Sequence, residues 1–536
     1  MGVKRLFTIC KSLLDCKKIA KQEFDSIIID GYAFLYKIFG DQLDELFMID
    51  YECFSRKISR AFNKMHENFH HIYLFVETPS ESLKRSVHLQ REKDRIQSIK
   101  LLIDSNYSKT KNILPVGAYL MLLNVCENLR FVRVQVRSGA DVDLTISYAS
   151  REYKAVILSN DTDFLIYHNL SKGLVPLQLV SLEQPNSWFY WDSIELASVM
   201  KISVTALPIY ACLVGCDYFD AFRDRYTKKP IQSGDAIKFI RNIEIHDIRS
   251  LNLSQILPTS SHLNFYKAIE RYEQNKEDTE VQFDGFALNL IPLEPKILSC
   301  LIDKVFYANT MLEDIKQPSV WLTSTNVRRQ IYFRLSHINK SLVHIHEYIR
   351  EGLDITKRHM DIDFQEPDEH LNTFYEKIHK EQDKKITANE FIHFCFKRFL
   401  QASDVPVASR YALFAMINRP KSECVAMKMA IKQFHHFSEF HAYVYCSCLL
   451  LLLYCPMDIE LVCDTLCKLD GKRYMYYLMN PDIELNESFE RFSDENQISI
   501  LNICRKSKDK RKTKKRENNY DLTANMFEIL QEYENP

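Results

Sequence analysis

The segment Ser26–Phe39, which reads SIIIDGYAFLYKIF, decides the fold that this sequence predicts. Its first four residues form a short β-branched run, typical of a buried strand. Gly31–Phe39 follows directly and is predicted to be a helix. A strand followed by a helix is the repeating unit of α/β proteins.

The same succession recurs further along the chain. Buried strands are predicted at Ile72–Val76 and Ala155–Ser159, a strand of alternating pattern at Arg130–Val136, and a long charged helix at Ser80–Ile103. Alternating strands and helices predict a twisted, mostly parallel sheet that is covered by helices on both faces. The predicted fold class is therefore α/β in the N-terminal half.

From about residue 245 the strand signals fade and helical apolar spacing dominates, as in Val327–Ile345 and Thr387–Phe399. The chain has only 11 Gly and 16 Pro among 536 residues, well below the roughly 12% that the two reach together in average proteins. So few breakers favour long helices. We expect an α/β domain at 1–245, a helical region at 246–500 and a tail at 501–536.

Composition excludes several classes of protein. The 15 cysteines are odd in number and form no regular framework, which favours reduced thiols inside a cell. The N-terminus lacks the apolar core and cleavage site of a signal peptide. The longest apolar run, Ala442–Cys455, is shorter than the ~18 residues that span a bilayer, so we expect a buried core helix and no membrane partner.

Acidic residues fall where the chemistry of an open α/β sheet takes place. Each one follows a predicted strand or apolar helix, or opens a helix after a strand: Asp30, Glu77, Asp141, Asp143, Asp161, Asp163 and Asp217. Sites in such sheets form outside the carboxyl ends of the strands. We therefore expect these carboxylates to meet in one cleft.

Seven carboxylates in one cleft repel one another unless divalent cations neutralise them. Mg²⁺ prefers oxygen ligands, and two such ions stabilise the attacking and leaving oxygens of a phosphoryl displacement. This is the chemistry of a nuclease that uses hydroxide as its nucleophile. A single Asp after a strand is more often a helix N-cap, so the prediction rests on the set as a whole.

The ordered segments MGV, IIIDGYAFLY, LFVETPSESLKR, SGADVDLT, SNDTDF and LVGCDY resemble the flap endonuclease/XPG superfamily of PIN-like nucleases over roughly residues 1–220. Within it, the chain resembles the protein asteroid homolog family. The helical second half, and a Lys/Arg run followed by a short acidic-hydrophobic end, agree with that family. The resemblance implies a PIN-like, FEN-like sheet.

The resemblance also implies roles for particular residues. The seven acids fall on the positions that hold two Mg²⁺ ions in active relatives, where Mn²⁺ can substitute. Lys84 and Arg91 match a basic pair that contacts the scissile phosphate. The alternative interpretation is that both belong to a solvated, charged helix. Tyr36 matches an aromatic residue that stacks on an unpaired base. The alternative interpretation is that its ring packs in the hydrophobic core.

Three departures from the superfamily pattern stand out. Glu77 replaces an Asp, so its side chain is one methylene longer. Asp141 and Asp143 replace Glu, so theirs are one methylene shorter. The segment after Asp217 lacks the Gly-x-Gly of a duplex-clamping hairpin.

The functional expectation is a structure-specific, two-metal-ion endonuclease that acts on single-stranded segments or overhangs of DNA in DNA repair. One alternative is a non-catalytic FEN-like scaffold in growth-factor receptor signalling, and another is a PIN-type ribonuclease. The helical 246–500 region is a candidate surface for a repair-protein partner.

The tail combines nine Lys/Arg and one Asp in residues 505–516, on a chain whose net charge is −1. Such a run indicates a nuclear localisation signal or a nucleic-acid-binding arm, and its alternative is a solvated charge run. We expect a nuclear protein that also occurs in the cytoplasm. The basic residues are Arg505, Lys506, Lys508, Lys510, Arg511, Lys512, Lys514, Lys515 and Arg516.

Overall fold

The computed structural model describes most of the chain between residues 2 and 489. The described residues are 2–14, 17–18, 24–39, 50–77, 85–105, 113–137, 142–167, 172–222, 226–241, 253–273, 294–362, 369–380, 386–418, 431–455, 458–479 and 488–489. The basic run at 505–516, Asp141 and Lys84 lie outside them.

A five-stranded sheet organises the N-terminal half. In chain order the half contains β1 (Lys17–Lys18), β2 (Ser26–Asp30), β3 (His71–Glu77), β4 (Val132–Arg137), β5 (Val156–Ser159), β6 (Leu174–Pro176) and β7 (Phe189–Tyr190). The central sheet has the order β4-β3-β2-β5-β6, and all its neighbouring strands are parallel. The predicted parallel α/β sheet is confirmed.

The order of the strands reverses at β2. From β2 the chain moves outward through β3 to β4, and then returns to place β5 on the other side of β2. Ile29 accordingly lies opposite Leu74 of β3 and Leu158 of β5. Ligands of open α/β sheets bind at such a switch point, so the end of β2 is where a site is expected.

Helices cover both faces of the sheet. They are α1 (Leu6–Leu13), α2 (Gly31–Phe39), α3 (Tyr51–His66), α4 (Arg85–Ser105), α5 (Ala118–Leu129), α6 (Val142–Glu152), α7 (Ser193–Met200), α8 (Leu207–Val214), α9 (Ser233–Arg241) and α10 (His262–Glu273). Ile27 and Ile29 pack into one hydrophobic core, and Ile28 between them packs into another. The β-branched run is therefore buried on both sides, as parallel strands require.

The second half of the described chain is mainly helical, as predicted. Its helices are α11 (Pro295–Asp303), α12 (Thr325–Ile338), α13 (Glu369–Lys380), α14 (Ala388–Ala402), α15 (Val407–Asn418), α16 (Ile431–Tyr454), α17 (Ile459–Leu466) and α18 (Gly471–Met479). The core helix α16 contains the apolar run up to Tyr454, and Cys455 follows the helix directly. Its segment Phe434–Tyr454 is long and apolar enough to cross a membrane, but 89% of its apolar window is buried inside the protein.

The helical pattern predicted over Val327–Ile345 is wrong at its C-terminal end. Helix α12 stops at Ile338, where the Asn339 side-chain oxygen accepts hydrogen bonds from the backbone and hydroxyl of Ser341. A three-stranded sheet follows, with the order β10-β9-β8. Its strands are β8 (Val305–Tyr307), β9 (His344–Glu351) and β10 (Asp354–Asp361).

The two halves share one hydrophobic core. The same cluster contains Ile72 of the central sheet and Leu449 of α16. Helix α10, which lies beyond the predicted boundary at 245, packs Phe265 and Ile269 into the core on the other face of the central sheet. The boundary between 1–245 and 246–500 stays a prediction from sequence.

Candidate active site

Asp30 lies at the switch point of the central sheet, at the end of β2. Its Oδ1 accepts a hydrogen bond from the backbone of Ala33 (3.1 Å), and its Oδ2 accepts one from Ser159 Oγ (2.7 Å). Asp30 thus caps α2 and is tied to the end of the neighbouring strand β5. Asp30 is therefore a helix N-cap and also lies at the edge of the sheet where the site is expected.

Asp161 and Asp163 follow β5 and turn toward the same edge. The Oδ1 of Asp161 accepts a hydrogen bond from the Asp163 backbone (3.0 Å), which caps a short 3₁₀ turn. The Asp161 backbone donates to Ser159 Oγ (3.0 Å). Ser159 therefore connects Asp30 with Asp161 and fixes the spacing between the ends of two adjacent strands.

The environment of Asp163 is unlike that of an ordinary surface carboxylate. Its side chain is buried, the hydroxyl of Tyr272 donates to its Oδ2 (2.9 Å), and its Oδ1 has no hydrogen-bond partner. Burial, and then the neighbouring charges of Asp161, Asp217 and Asp143, raise the pKa of Asp163 well above its ordinary value. These four acids are therefore close enough to repel one another.

The N-terminal segment closes one side of the acidic group. The backbone of Lys4 donates to Gly215 O (3.0 Å). This places Gly2 against the acids, where a Cβ atom would lie in contact with the carboxylate oxygens of Asp161 and Asp163. With a φ of +80°, Gly2 also has a backbone conformation that only glycine adopts without strain. No side chain larger than hydrogen fits this position.

Arg91 and Asp217 face each other across the cleft. Helix α4 carries Arg91, and its Nη2 donates to Asp217 Oδ2 at 3.0 Å. Asp217 comes three residues after the end of the apolar helix α8. The pair is partly exposed, with 37% of the arginine and 17% of the aspartate side chain accessible. A phosphate or a cation that enters the cleft can therefore compete for either partner.

One cleft contains six of the residues predicted from sequence. Its walls include Asp30, Tyr36, Arg91, Asp143, Asp161 and Asp217. Asp163 lies beneath this surface and is buried. Glu77 ends β3 beside Arg137 of β4. Predicted positions Asp141 and Lys84 fall outside the described residues, so their placement stays a prediction.

Tyr36 lines the cleft with its hydroxyl already engaged. Arg95 Nη2 donates to the hydroxyl at 2.6 Å, and Arg95 also forms an ion pair with Glu92. Burial raises the pKa of the Tyr36 hydroxyl. The ring is held from one end by this network, and its proposed stacking on a base stays a prediction.

The opposite wall of the cleft comes from the second half of the chain, which the sequence analysis did not anticipate. Glu294, Lys296, Asn309, Thr310 and Tyr445 line it. The Lys296 ammonium donates to Tyr307 O (2.7 Å) and Asn309 Oδ1 (2.6 Å), and burial lowers its pKa. No motif marks these residues, because only the packing of distant segments brings them together.

The cleft fits magnesium better than a soft metal. Its donors are carboxylate oxygens, and the buried Asp163 Oδ1 lacks the partner that a buried acceptor normally has. Mg²⁺ prefers oxygen ligands, keeps several waters and uses one or two direct carboxylates. Asp30, Asp143, Asp161, Asp163 and Asp217 are the described residues that would hold it.

Comparison with known proteins gives one informative sequence match. No protein-family model matches the chain. A curated protein of Danio rerio, named "Single-strand DNA endonuclease ASTE1", is 25% identical over 242 residues, which cover 41% of this chain and 33% of that protein. The chain thus spans about a third of the length of the relative it matches.

Among solved structures, the catalytic core of Rad2 in complex with DNA substrate aligns over 52% of this chain and 86% of its own, at 13% identity and a TM-score of 0.35. Human GEN1 in complex with Holliday junction DNA aligns over 56% of this chain and 72% of its own, at 12% identity and a TM-score of 0.32. Over the part shared with the Danio rerio protein, the sequence of the chain is similar to that of a single-strand DNA endonuclease, an asteroid homolog.

Proposed function

We propose that this protein is a metal-dependent, structure-specific endonuclease that cuts single-stranded segments or overhangs of DNA. The observation that carries the proposal is the shared cleft of Asp30, Asp143, Asp161, Asp217 and Arg91 at the switch point of a parallel sheet. An acidic cleft whose walls also carry Arg85, Arg91 and Arg95 suits a reaction in which a phosphodiester meets divalent cations. The name of the Danio rerio relative supports DNA as the substrate class.

The chain's own residues would divide the work of the reaction. Two Mg²⁺ ions, or Mn²⁺ in their place, would supply the nucleophile and neutralise charge on the phosphate. Asp30 and Asp161 are fixed through Ser159, so they would offer oxygens with little reorganisation. Pre-organised donors and acceptors of this kind cost no reordering at the moment of reaction.

Arg91 would bind the scissile phosphate. In the present state its guanidinium is occupied by Asp217. A phosphate near the rim would draw Arg91 away, because a guanidinium binds phosphate oxygens as well as it binds a carboxylate. This exchange would remove the ion pair with Arg91 and let the Asp217 carboxylate approach a cation. Lys84 is proposed as the second basic contact.

A cleavage assay on matched substrates tests the activity and the choice of sugar. Purified full-length protein is given labelled single-stranded DNA, 3′ overhangs, 5′ flaps and RNA of the same sequence, with Mg²⁺ or Mn²⁺. We expect metal-dependent cutting of the DNA that has unpaired segments, and none by the Asp161→Ala/Asp163→Ala variant. Preferred cutting of the RNA would instead support a PIN-type ribonuclease.

We also propose that the protein acts in DNA repair and is located in the nucleus. The basic run at 505–516 supports the nuclear location, and the resemblance of the sequence to the asteroid homolog family implies the repair role. The helical 246–500 region is proposed to bind a repair protein. Co-purification from nuclear extract after DNA damage, compared with undamaged cells, tests this, and a purely cytoplasmic protein would contradict it.

A further inference from the structure

The hairpin formed by β9 and β10 carries three histidines on its outer face. His344 and His346 are two residues apart in β9, so their side chains point to the same side of the sheet. His359 of β10 lies directly opposite His346 in the register of the pair. Ile345 and Ile349 alternate with the β9 histidines and are buried in the core, which leaves the histidine face toward solvent.

The three imidazoles are close enough to share one ion. One ring nitrogen of each lies within 4.8 Å of those of the other two. The ring centroids are separated by 5.1 Å (His344–His346), 4.8 Å (His344–His359) and 5.2 Å (His346–His359). A tetrahedral ion with bonds of about 2.0–2.1 Å places its ligands about 3.4 Å apart. Small side-chain rotations therefore suffice to close the site.

Two further observations point to a ligand at this place. The Nδ1 atom of His346 is buried and has no hydrogen-bond partner. The Nε2 atom of His359 lies 2.9 Å from Asp361 Oδ1. Metal-bound histidines commonly donate their other ring N–H to a carboxylate, which fixes the ring and makes the metal-facing nitrogen a better ligand. Asp361 is placed to do this.

The charges around the cluster select among metals. Lys357 lies on the next rung of the same face, opposite Tyr348, and the charge of Arg85 also reaches His346. Positive neighbours and uncharged nitrogen donors disfavour Mg²⁺, which depends on anionic oxygen ligands. Zn²⁺ forms strong bonds to imidazole, so coordination can outweigh the repulsion.

We propose that His344, His346 and His359 bind one Zn²⁺ ion, with Asp361 orienting His359. The site is separate from the acidic cleft and differs from it in ligand chemistry. The ion would join β9 to β10. Asp354 of β10 forms an ion pair with Lys93 of α4 at 2.7 Å. The bound ion would therefore stabilise the sheet that packs against α4, the helix that carries Arg91.

A cobalt titration tests this site without relying on nuclease activity. Tag-free full-length protein is stripped with a chelator and titrated with Co²⁺, whose visible absorption reports tetrahedral coordination, and the Co²⁺ is then displaced with Zn²⁺. The experiment is done in the Asp161→Asn/Asp163→Asn background, which weakens binding of the metal in the acidic cleft. We expect one Zn²⁺ per chain with a Kd below about 10 µM.

The variants decide whether the histidines are the ligands. His359→Ala changes an exposed side chain, so the fold should persist, and it should weaken Zn²⁺ binding by at least about 100-fold, more than the loss of an orienting residue causes. His344→Ala should do the same. His393→Ala, on the exposed face of α14, is the matched control and should leave the Kd unchanged. No binding near 10 µM, or equal binding by His359→Ala and the parent, would overturn the proposal.

Discussion

Asp163 shows how a single residue can connect the stability of the fold with its chemistry. The buried carboxyl has one oxygen held by Tyr272 and another without a partner. Its raised pKa follows from burial and from the nearby acids. A divalent cation would favour the charged form by replacing repulsion with attraction. Without one, the folded state binds this proton more tightly than the unfolded chain does.

The first prediction concerns Asp163→Asn and pH. Because the folded pKa lies above the ordinary 3.8, the folded state binds more protons than the unfolded state. The free energy of unfolding of the metal-free protein should therefore fall as pH rises above about 3.8 through the folded pKa. Asp163→Asn should remove this slope and raise the Tm at neutral pH. Thermal unfolding between pH 5 and 8 measures it.

The exposed Asp404→Asn variant serves as the control, since Asp404 is fully accessible. Added Mg²⁺ should raise the Tm of the wild-type protein more than that of Asp163→Asn. A Tm difference between Asp163→Asn and wild type that is the same at every pH would contradict the raised pKa.

The second prediction concerns Arg91→Ala. Loss of the guanidinium should lower kcat for DNA cleavage by about 10²- to 10³-fold, the range for one electrostatic stabiliser of a transition state. The Mg²⁺ concentration for half-maximal rate should not increase, because Asp217 loses its competing partner. Lys93→Ala, two residues further on the same helix, is the matched control. Comparable losses in both variants would indicate a general defect of α4.

Helix α4 is the element on which the cleft depends most. It presents Arg91 to the acids, and Glu92 beside it docks onto the second half of the chain. Glu92 Oε2 accepts a hydrogen bond from the Thr310 backbone (2.8 Å), and its carboxylate is paired with Arg95. This single buried carboxylate therefore fixes the helix to the opposite wall of the cleft.

The third prediction follows for Glu92→Gln. The change keeps the shape of the side chain but leaves the largely buried Arg95 without its counter-charge. Removing one partner of a buried ion pair costs about 3–5 kcal/mol, so the free energy of unfolding should fall by an amount of this order. Asp94→Asn on the exposed face of α4 should cost less than about 0.5 kcal/mol. Denaturant unfolding distinguishes them, and equal stability would refute the docking role.

Elements differ in how much their sequence reveals. The sequence predicts the strand with Ile27, Ile28 and Ile29 without ambiguity, because burial on both faces of a sheet requires a continuous apolar run. Strand β9 alternates histidine, tyrosine and charged residues with its buried isoleucines, so its pattern merges with the helical spacing of α12. The acids of the cleft were predictable because they end or follow strands, open a helix after a strand, or follow an apolar helix. Lys296 and Thr310 were not, since their position depends on tertiary packing.

At the scale of the whole molecule, an acidic cleft and a basic tail belong to the same chain. The tail would bring a polyanion toward a body that otherwise repels it, or would direct the protein to the nucleus. The fourth prediction is that replacing the nine Lys/Arg of residues 505–516 with Gln shifts a fluorescent fusion from nucleus to cytoplasm. An unchanged nuclear fluorescence signal would refute the proposal that this run directs the protein to the nucleus.

The same tail variant separates the two roles of the basic run. If the tail also binds DNA, the affinity of the purified variant for single-stranded DNA should fall, and its dependence on salt should become shallower. This variant keeps every cleft residue, so we expect kcat at saturating DNA to stay the same.

The proposed function requires that the carboxylates at the end of the parallel sheet form a nuclease centre. The most direct test is single-turnover cleavage of end-labelled single-stranded DNA as a function of Mg²⁺ concentration. The wild-type protein, Asp161→Asn and the surface control Asp404→Asn are compared. We predict Mg²⁺-dependent cutting by wild type and control, and a loss of at least about 10²-fold in Asp161→Asn. Cutting by Asp161→Asn at the wild-type rate, or no cutting by the folded wild-type protein, would contradict the account.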